Sequence, residues 1–333
     1  MPPTVTTVLS LDDVRLAGRT VLYRVDVNSP LEPSTGAFLD DSRLRSTLDT
    51  LRDLSDAKVV IMGHQSRPGK DDFTGMEVHC DRLSRLLGQT IRFVADICGD
   101  DAIAAIEEMQ SGEKIFLNNV RMHSEEYGPD KVSLEEEPSS EIVTRLSDVA
   151  DAYVSDAFGA AHRNSPTLTG FAEEMPCIAG RLMNTEIRAL GLAVDDPPRP
   201  YVAILGGAKC DDSLRVALNL IERDVVDCIP LVGVVGNLML WASGHDIGER
   251  NKEFIRNAMG DSFDETWEMA ERLLSDHSEK LFLPSDLVTE VDGKRQPIGI
   301  DELPTENPIY DICLLYTSPS PRAATLSRMP SSA

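Results

Sequence analysis

Arginines recur where apolar runs give way to polar residues: RVDVN (24–28), GHQSRP (63–68), NNVRMH (118–123) and SDAFGAAHRNS (155–165), with SRLR at 42–45. The planar fork of arginine holds phosphate or carboxylate oxygens in pairs and stays charged at any cellular pH. Taken singly, Arg43, Arg67, Arg121 and Arg163 read as solvated surface residues. As a set they point elsewhere, because all strand C-terminal ends of a parallel sheet face one edge and the residues that follow converge there. His64 and Asn28 add uncharged donors, and Asp26 suits a substrate hydroxyl and the orientation of nearby guanidinium groups. A ligand with anionic ends and a hydroxyl between them would use all three residue types.

A second candidate is GGAK (206–209), which follows an apolar run. Its glycines let backbone N–H groups approach a phosphate chain, and Lys209 adds a point charge. Glycines in an ordinary strand-to-helix turn are the alternative. Neither a G-x-x-x-x-G-K-[ST] loop nor a G-x-G-x-x-G fingerprint occurs in the chain. Asp211 and Asp212 would repel a bare anion, so a metal-bound nucleotide fits better than free phosphate.

The elements that must position these residues alternate between β-rich and amphipathic runs, which is the pattern of repeated βα units and a parallel sheet. Strands are expected at 20–27, 57–63, 90–96, 113–119 and 151–157, and helices at 77–88, 100–110 and 139–150. Leu44, Leu48, Leu51 and Leu54 recur at helical spacing behind Asp40, Asp41 and Ser42 as caps. A helix at 181–194 runs into DDPPRP, whose prolines cannot continue it, and the domain junction is placed over 181–198. A second series follows: strands at 201–209 and 227–237, helices at 212–223, 251–258 and 263–275, then LFLPSD (281–286) and IYDI (309–312). The expected fold class is α/β, with a first domain over 1–180 and a second over 199–312.

The chain has 333 residues and a formal charge of −24, from 56 Asp and Glu against 32 Lys and Arg. Nucleic acid is a poor partner for such a surface. Apolar residues make up 41% and are dispersed in short runs, so no membrane span is expected, and the first residues lack the basic start and apolar stretch of a secretory leader. The expected compartment is the cytoplasm. Cys80, Cys98, Cys177, Cys210, Cys228 and Cys313 form no CxxC pair and read as isolated reduced thiols. No protein-held metal site is expected. From Ile312 the last 22 residues hold no acid, where the density of the preceding chain would give about four. Residues 313–333, rich in Ser, Pro and Arg, are therefore expected to be non-native, with a natural disordered tail as the alternative.

RVDVN, HQSRP, NVRMH, DAFGAAHR and GGAK, in that order, resemble the signature segments of the phosphoglycerate kinases, and the similarity runs from about residue 10 to 312. The resemblance implies two doubly wound, Rossmann-like parallel-sheet domains facing a cleft, the second one incomplete here. It implies that Asp26, Val27, Asn28, Arg43, His64, Gln65, Ser66, Arg67, Arg121 and Arg163 bind 3-phosphoglycerate or 1,3-bisphosphoglycerate. It also implies that Gly206, Gly207, Ala208, Lys209, Gly233 and Asn237 meet ADP or ATP carrying Mg²⁺. Arg43 and Lys209 then act on the transferring phosphoryl group. A monomer is expected.

Where many members of that family have a second lysine after GGAK, this chain has CDDSLR, placing Ser213 or Arg215 nearby, and the GGGMA-like segment is GVVGN (233–237). Both changes resemble the archaeal branch. The family's GP turn, ribose-binding glutamate and GGGD(T/S) phosphate helix do not follow IYDI, so weak or absent turnover is expected. Two other readings stand beside this one: a non-catalytic phosphate-binding fragment, and a nicotinamide-dependent dehydrogenase, against which the missing glycine fingerprint counts. The acid excess suits either a salty cytoplasm or an ordinary acidic protein. A thermal midpoint that rises from low to multimolar KCl selects the first, and one that does not rise removes it.

Overall fold

The computed structural model describes residues 8–32, 34–195 and 197–312; the tail at 313–333, with Cys313, lies outside the described residues. The chain divides into two compact units, Met1–Gly191 and Leu192–Ala333.

The first unit is built on six strands: β1 (Thr20–Arg24), β2 (Lys58–Met62), β3 (Arg92–Phe93), β4 (Lys114–Phe116), β5 (Ala152–Ser155) and β6 (Cys177–Ala179). They lie in the order β3-β4-β2-β1-β5-β6, and every pairing is parallel. A parallel sheet is covered on both faces, so its strands read as continuous apolar runs. Val21 and Tyr23 of β1, with Val59 and Ile61 of β2, pack on one side against Leu44, Leu51, Cys80 and Leu83. Leu22, Val60 and Met62 pack on the other against Ala102, Ile106, Ile142 and Leu146.

From β1 the chain moves to its neighbour β2, then to the edge strand β3 and back to β4 between them, before crossing to place β5 on the other side of β1. The order therefore reverses between β1 and β5, where open sheets bind ligands. Arg24 at the end of β1 is level with Met62 on one neighbour and Ser155 on the other. Ile61 is level with Phe116 of β4. The segments at 118–123, 63–68, 24–28 and 155–165 thus leave one edge of the sheet side by side.

The expected strands are observed but shorter, since the chain leaves the ladder as soon as the polar segment begins. The leucine-spaced helix is two pieces, Ser42–Arg45 and Leu48–Asp53. Asp41 does not cap the first with its side chain; it pairs with Arg45 and Arg82, while Asp40 accepts from the Ser42 backbone N–H at 2.7 Å. The sequence reading missed β6, a three-residue strand after Pro176 that is too short to show a period.

Asp156, fully buried directly after β5, joins this framework to the helix Arg181–Asp195. Its carboxylate accepts from Tyr23 Oη and Thr50 Oγ1, both at 2.6 Å, and from the Met183 backbone N–H at 3.0 Å. Thr50 Oγ1 in turn accepts from the Arg181 N–H at 2.8 Å. Two N–H groups that the first turn of a helix leaves without partners are satisfied by Asp156, beyond β5, and by Thr50 of the helix Leu48–Asp53.

In the second unit a parallel pair, Ile229–Pro230 with Leu281–Phe282, is extended by parallel bridges Val202 to Cys228 and Leu205 to Leu231. Helices Cys210–Glu222, Gly233–Ala242, Glu249–Met259 and Phe263–Asp276 carry most of its core. Two expectations are corrected here. Residues 201–209 contribute bridges rather than a strand, and 227–237 is a strand only over Ile229–Pro230 before a helix begins at Gly233. The run GVVGNLMLWA is apolar throughout, and an apolar run without alternation does not distinguish a buried helix from a strand. IYDI is the strand Ile309–Ile312, but the hairpin Asp286–Val291 and Lys294–Gly299, with which it forms a three-stranded antiparallel sheet, was missed. Its signal was the dipeptide Asp292-Gly293, both at positive φ (51° and 73°), as a tight hairpin turn requires.

Asp156→Ala strands three donors, two of them buried, and is expected to lower stability by about 3 kcal/mol in urea unfolding. Arg52→Ala, which removes an exposed pair with Asp49, is expected to cost less than about 1 kcal/mol in the same measurement.

Candidate active site

Asp26 lies just beyond β1, and its Oδ2 accepts from Arg43 Nη1 at 2.5 Å. The loop after β5 passes so close that a Cβ at Gly159 would collide with Asp26 Oδ2 and lie 3.8 Å from Arg43 Nη1. Glycine is required there for close approach, not for turn geometry. Asn28 Oδ1 accepts from the Ser66 N–H at 2.8 Å, and Ser66 Oγ donates to Asp72 at 2.5 Å. Ser66 itself has φ +54°, a left-handed conformation that a serine holds only when its surroundings impose it. Arg121 supplies part of that restraint, its Nη1 donating to the Ser66 carbonyl at 2.5 Å while its guanidinium lies 5.2 Å above the Tyr127 ring centroid. Asn119 Nδ2 donates to the carbonyls of Gln65 (2.9 Å) and Thr74 (2.7 Å), fixing the turn before Arg121.

His64 is buried, 3% exposed. Its Nδ1 lies 3.1 Å from Nη2 of Arg24, a buried residue the sequence reading did not single out. A guanidinium only donates, so Nδ1 must accept and the proton of the neutral ring sits on Nε2. Burial, then the charges of Arg24, Arg121, Arg163 and Arg43, push the His64 pKa from 6.5 down to about 2. The same four guanidinium groups therefore act on one imidazole. Burial, followed by Arg163 and Arg24, also lowers the pKa of Arg121.

Of the residues expected to bind the triose, Asp26, Asn28, Arg43, His64, Ser66, Arg121 and Arg163 are brought to this edge. Arg163 is exposed, with Nε 3.3 Å from His162 Nε2, and Arg67 is exposed in the loop after Ser66. Val27 and Gln65 belong to the framework. Val27 is wholly buried in the core, and Gln65 is tied to the Ser29 N–H (3.1 Å), the Ser29 carbonyl (3.0 Å) and His79 Nε2 (3.0 Å). The signal for Arg24 was a basic residue ending an otherwise apolar strand.

In the second unit, Gly207 has φ +110°, and Gly206 packs so closely on Val232 that a Cβ would lie 2.7 Å from its Cγ2. Gly233 faces this turn, with the Gly207 amide nitrogen 3.8 Å from where its Cβ would stand. GGAK and GVVGN thus form one surface at the start of two helices, Cys210–Glu222 and Gly233–Ala242. Ala208 and Lys209 are exposed beside it. Ser213 Oγ reaches back to the Gly206 carbonyl at 3.3 Å, whereas Arg215 is paired with Glu265 at 2.9 Å. Asn237 is buried, with Nδ2 3.4 Å from the Ile309 carbonyl.

Burial raises the thiols of Cys80, Cys98 and Cys210 to about 12, which makes them unreactive packing. Among the described residues no three His, Cys, Asp or Glu side chains gather to hold a metal, and no helix is long and apolar enough to cross a membrane.

Fold and site together define an α/β phosphotransferase with an arginine-rich anion site at the topological switch point of a parallel sheet. The family model for phosphoglycerate kinase matches residues 11–315. The phosphoglycerate kinase of Methanothermobacter thermautotrophicus is 40% identical over 305 residues, covering 91% of this chain and 73% of the relative's length. That of Methanothermus fervidus is 42% identical with the same coverage. Among solved structures, phosphoglycerate kinase from Pyrococcus horikoshii OT3 aligns with a TM-score of 0.80 and 36% identity, covering 90% of this chain and 74% of that one. The chain belongs to the phosphoglycerate kinase family. That membership supports the kinase reading over the dehydrogenase.

The buried histidines make the fold acid-sensitive. Burial lowers His79 to about 4 and, with the arginines, His64 to about 2, whereas an unfolded chain binds these protons near 6.5. Unfolding is therefore favoured as pH falls below 6.5, by about 1.4 kcal/mol per unit for each group until its folded pKa is reached. Urea midpoints are expected to drop from pH 6.5 to 5, and His64→Gln to drop less steeply than the parent.

Proposed function

We propose that the chain carries the two halves of a reversible phosphoryl transfer between 1,3-bisphosphoglycerate and ADP, giving 3-phosphoglycerate and ATP. The first unit takes the triose, with Arg43, Arg121 and Arg163 on its anionic groups, His64 Nε2–H as a neutral donor, and Asp26 accepting from its hydroxyl. Arg67 and the Asn28–Ser66 turn complete the site. The observation that carries this reading is the geometry at the switch point, where Arg43 pairs with Asp26, Arg121 holds the Ser66 turn that Asn28 also binds, and Arg24 lies against the buried His64.

The chemistry needs no base. In the direction of ATP use, the attacking group is the carboxylate of 3-phosphoglycerate, already ionised at neutral pH. Its oxygen forms a bond to the γ-phosphorus as the bond to the β,γ-bridging oxygen breaks, and ADP leaves with that electron pair. Catalysis then consists of placement and of neutralising charge on the transferring group, the roles assigned to Arg43 and Lys209. In the second unit the backbone of Gly206, Gly207, Ala208 and Gly233 faces phosphate oxygens. Mg²⁺ fits there as a companion of those phosphates, with Asp211 and Asp212 the carboxylates next to GGAK, and when bound it neutralises phosphate charge. The reading includes a monomer in the cytoplasm.

A non-catalytic phosphate-binding role for this chain is the second reading, and calorimetry tests both. 3-Phosphoglycerate is expected to bind clearly and MgADP feebly. Arg43→Ala and Arg163→Ala are each expected to weaken triose binding by about 10-fold or more, the worth of a charge-assisted hydrogen bond, with MgADP unaffected. Unchanged triose affinity in both variants would sink the site assignment, and turnover equal to that of full-length relatives would sink the second reading.

A further inference from the structure

Arg24 carries its charge at 1% exposure, and its hydrogen bonds go to neutral acceptors: Thr167 Oγ1 at 3.0 Å, the Val25 carbonyl at 2.6 Å and His64 Nδ1 at 3.1 Å. A buried guanidinium requires compensation from an opposite charge. Glu126, 4% exposed and outside the segments that mark the site in the sequence, is placed to provide it. Its Oε1 accepts from Ser165 Oγ at 2.9 Å and Thr167 Oγ1 at 2.6 Å, and its Oε2 accepts from the Thr167 N–H at 2.9 Å. All three donors lie just beyond Arg163, whereas Glu126 follows Arg121, so one carboxylate ties together the two loops that carry those arginines.

The proton positions along this chain are determined by chemistry. Both Glu126 oxygens accept in this geometry, so the Thr167 hydroxyl proton points to Glu126 and its lone pair accepts from Arg24 Nε. Arg24 Nη2 then donates to His64 Nδ1, which leaves the Nε2–H as the donor on the ring. We propose that Glu126 is a positioning residue: through Thr167 it fixes where Arg24 stands, and so keeps the Arg24 donor on His64 Nδ1, and through Ser165 and Thr167 it holds the Arg163 loop against the Arg121 loop. The effect on ligand rests on the triose reading above; the effect on His64 does not.

The test compares Glu126→Gln, Thr167→Val and Thr167→Ser in the full chain at pH 7, each first shown by circular dichroism to be folded at the temperature used. Thr167→Val keeps the side-chain shape and the N–H bond to Glu126 but lacks the hydroxyl, and Thr167→Ser restores it. Nitrogen-15 NMR of the imidazole rings reads the tautomer, and calorimetry reads 3-phosphoglycerate and MgADP binding. The parent and Thr167→Ser are expected to show His64 as the single Nε2–H form with equal triose affinity. Glu126→Gln and Thr167→Val are expected to show mixed tautomers and triose binding weaker by about tenfold, with MgADP unchanged. A folded Thr167→Val or Glu126→Gln with the parental tautomer and triose affinity within twofold would overturn the proposal. Should Glu126→Gln fail to fold, Thr167→Val decides. A parent that binds no triose refutes the triose reading, while the tautomer comparison still judges Glu126.

Discussion

Mutual repulsion among guanidinium groups is the constraint on which the rest of this structure depends. Arg24, Arg43, Arg121 and Arg163 all act on His64, and each lowers its proton affinity. Left to itself, such a cluster would spread into solvent. The fold resists by giving each arginine a fixed acceptor or support: Asp26 for Arg43, the Ser66 carbonyl and the Tyr127 ring for Arg121, Thr167 and the Val25 carbonyl for Arg24. Arg163, the most exposed of them, sits on a loop whose next turn is anchored from below by Glu126. The formal charge of −24 belongs to the chain as a whole, which makes the local positive field a product of placement rather than composition.

The parallel sheet makes that placement possible. Four polar segments leave neighbouring strand ends, so residues as far apart as Asn28 and Ser66, or Asp26 and Gly159, meet without any long loop having to be ordered on its own. The cost is that buried polar groups accumulate beneath the edge, and nearly all are paired. Asp156 takes donors from β1, from the helix Leu48–Asp53 and from the helix that begins at Arg181. Gln65 ties the loop after β2 to Ser29 and to His79. Paired, buried support under charged side chains is the arrangement that phosphoryl transfer by positioning requires.

The second unit repeats the logic on a smaller scale. Two glycine-bearing turns, at Gly206–Gly207 and at Gly233, face each other at the starts of two helices, where backbone N–H groups and helix dipoles suit phosphate. Its parallel strands are short; Phe282 on one of them, and Val202 and Ile204 in the bridged segment 201–209, are exposed. An antiparallel hairpin and a third strand complete the described part of the unit.

How much was legible before the structure depends on the range of the interaction. Strands β1, β2, β4 and β5, the helix at Glu77–Leu87 and the arginines with Asp26, Asn28 and His64 were readable, because apolar periodicity and the residues at strand ends are local properties of the chain. The three-residue strand β6, the break after Arg45 and the helix starting at Gly233 were not, since tertiary packing overrides a weak or absent period. What the sequence determined by itself was the family, the α/β class and the residue types of the anion site. What only the tertiary structure decided was the division of labour among them: Val27 and Gln65 as framework, Arg24 as a buried participant, and Glu126 and Asp156 as the carboxylates beneath. The physical reason is burial, which turns an ordinary acid, base or imidazole into one whose charge, proton position and partners are dictated by residues distant in the chain.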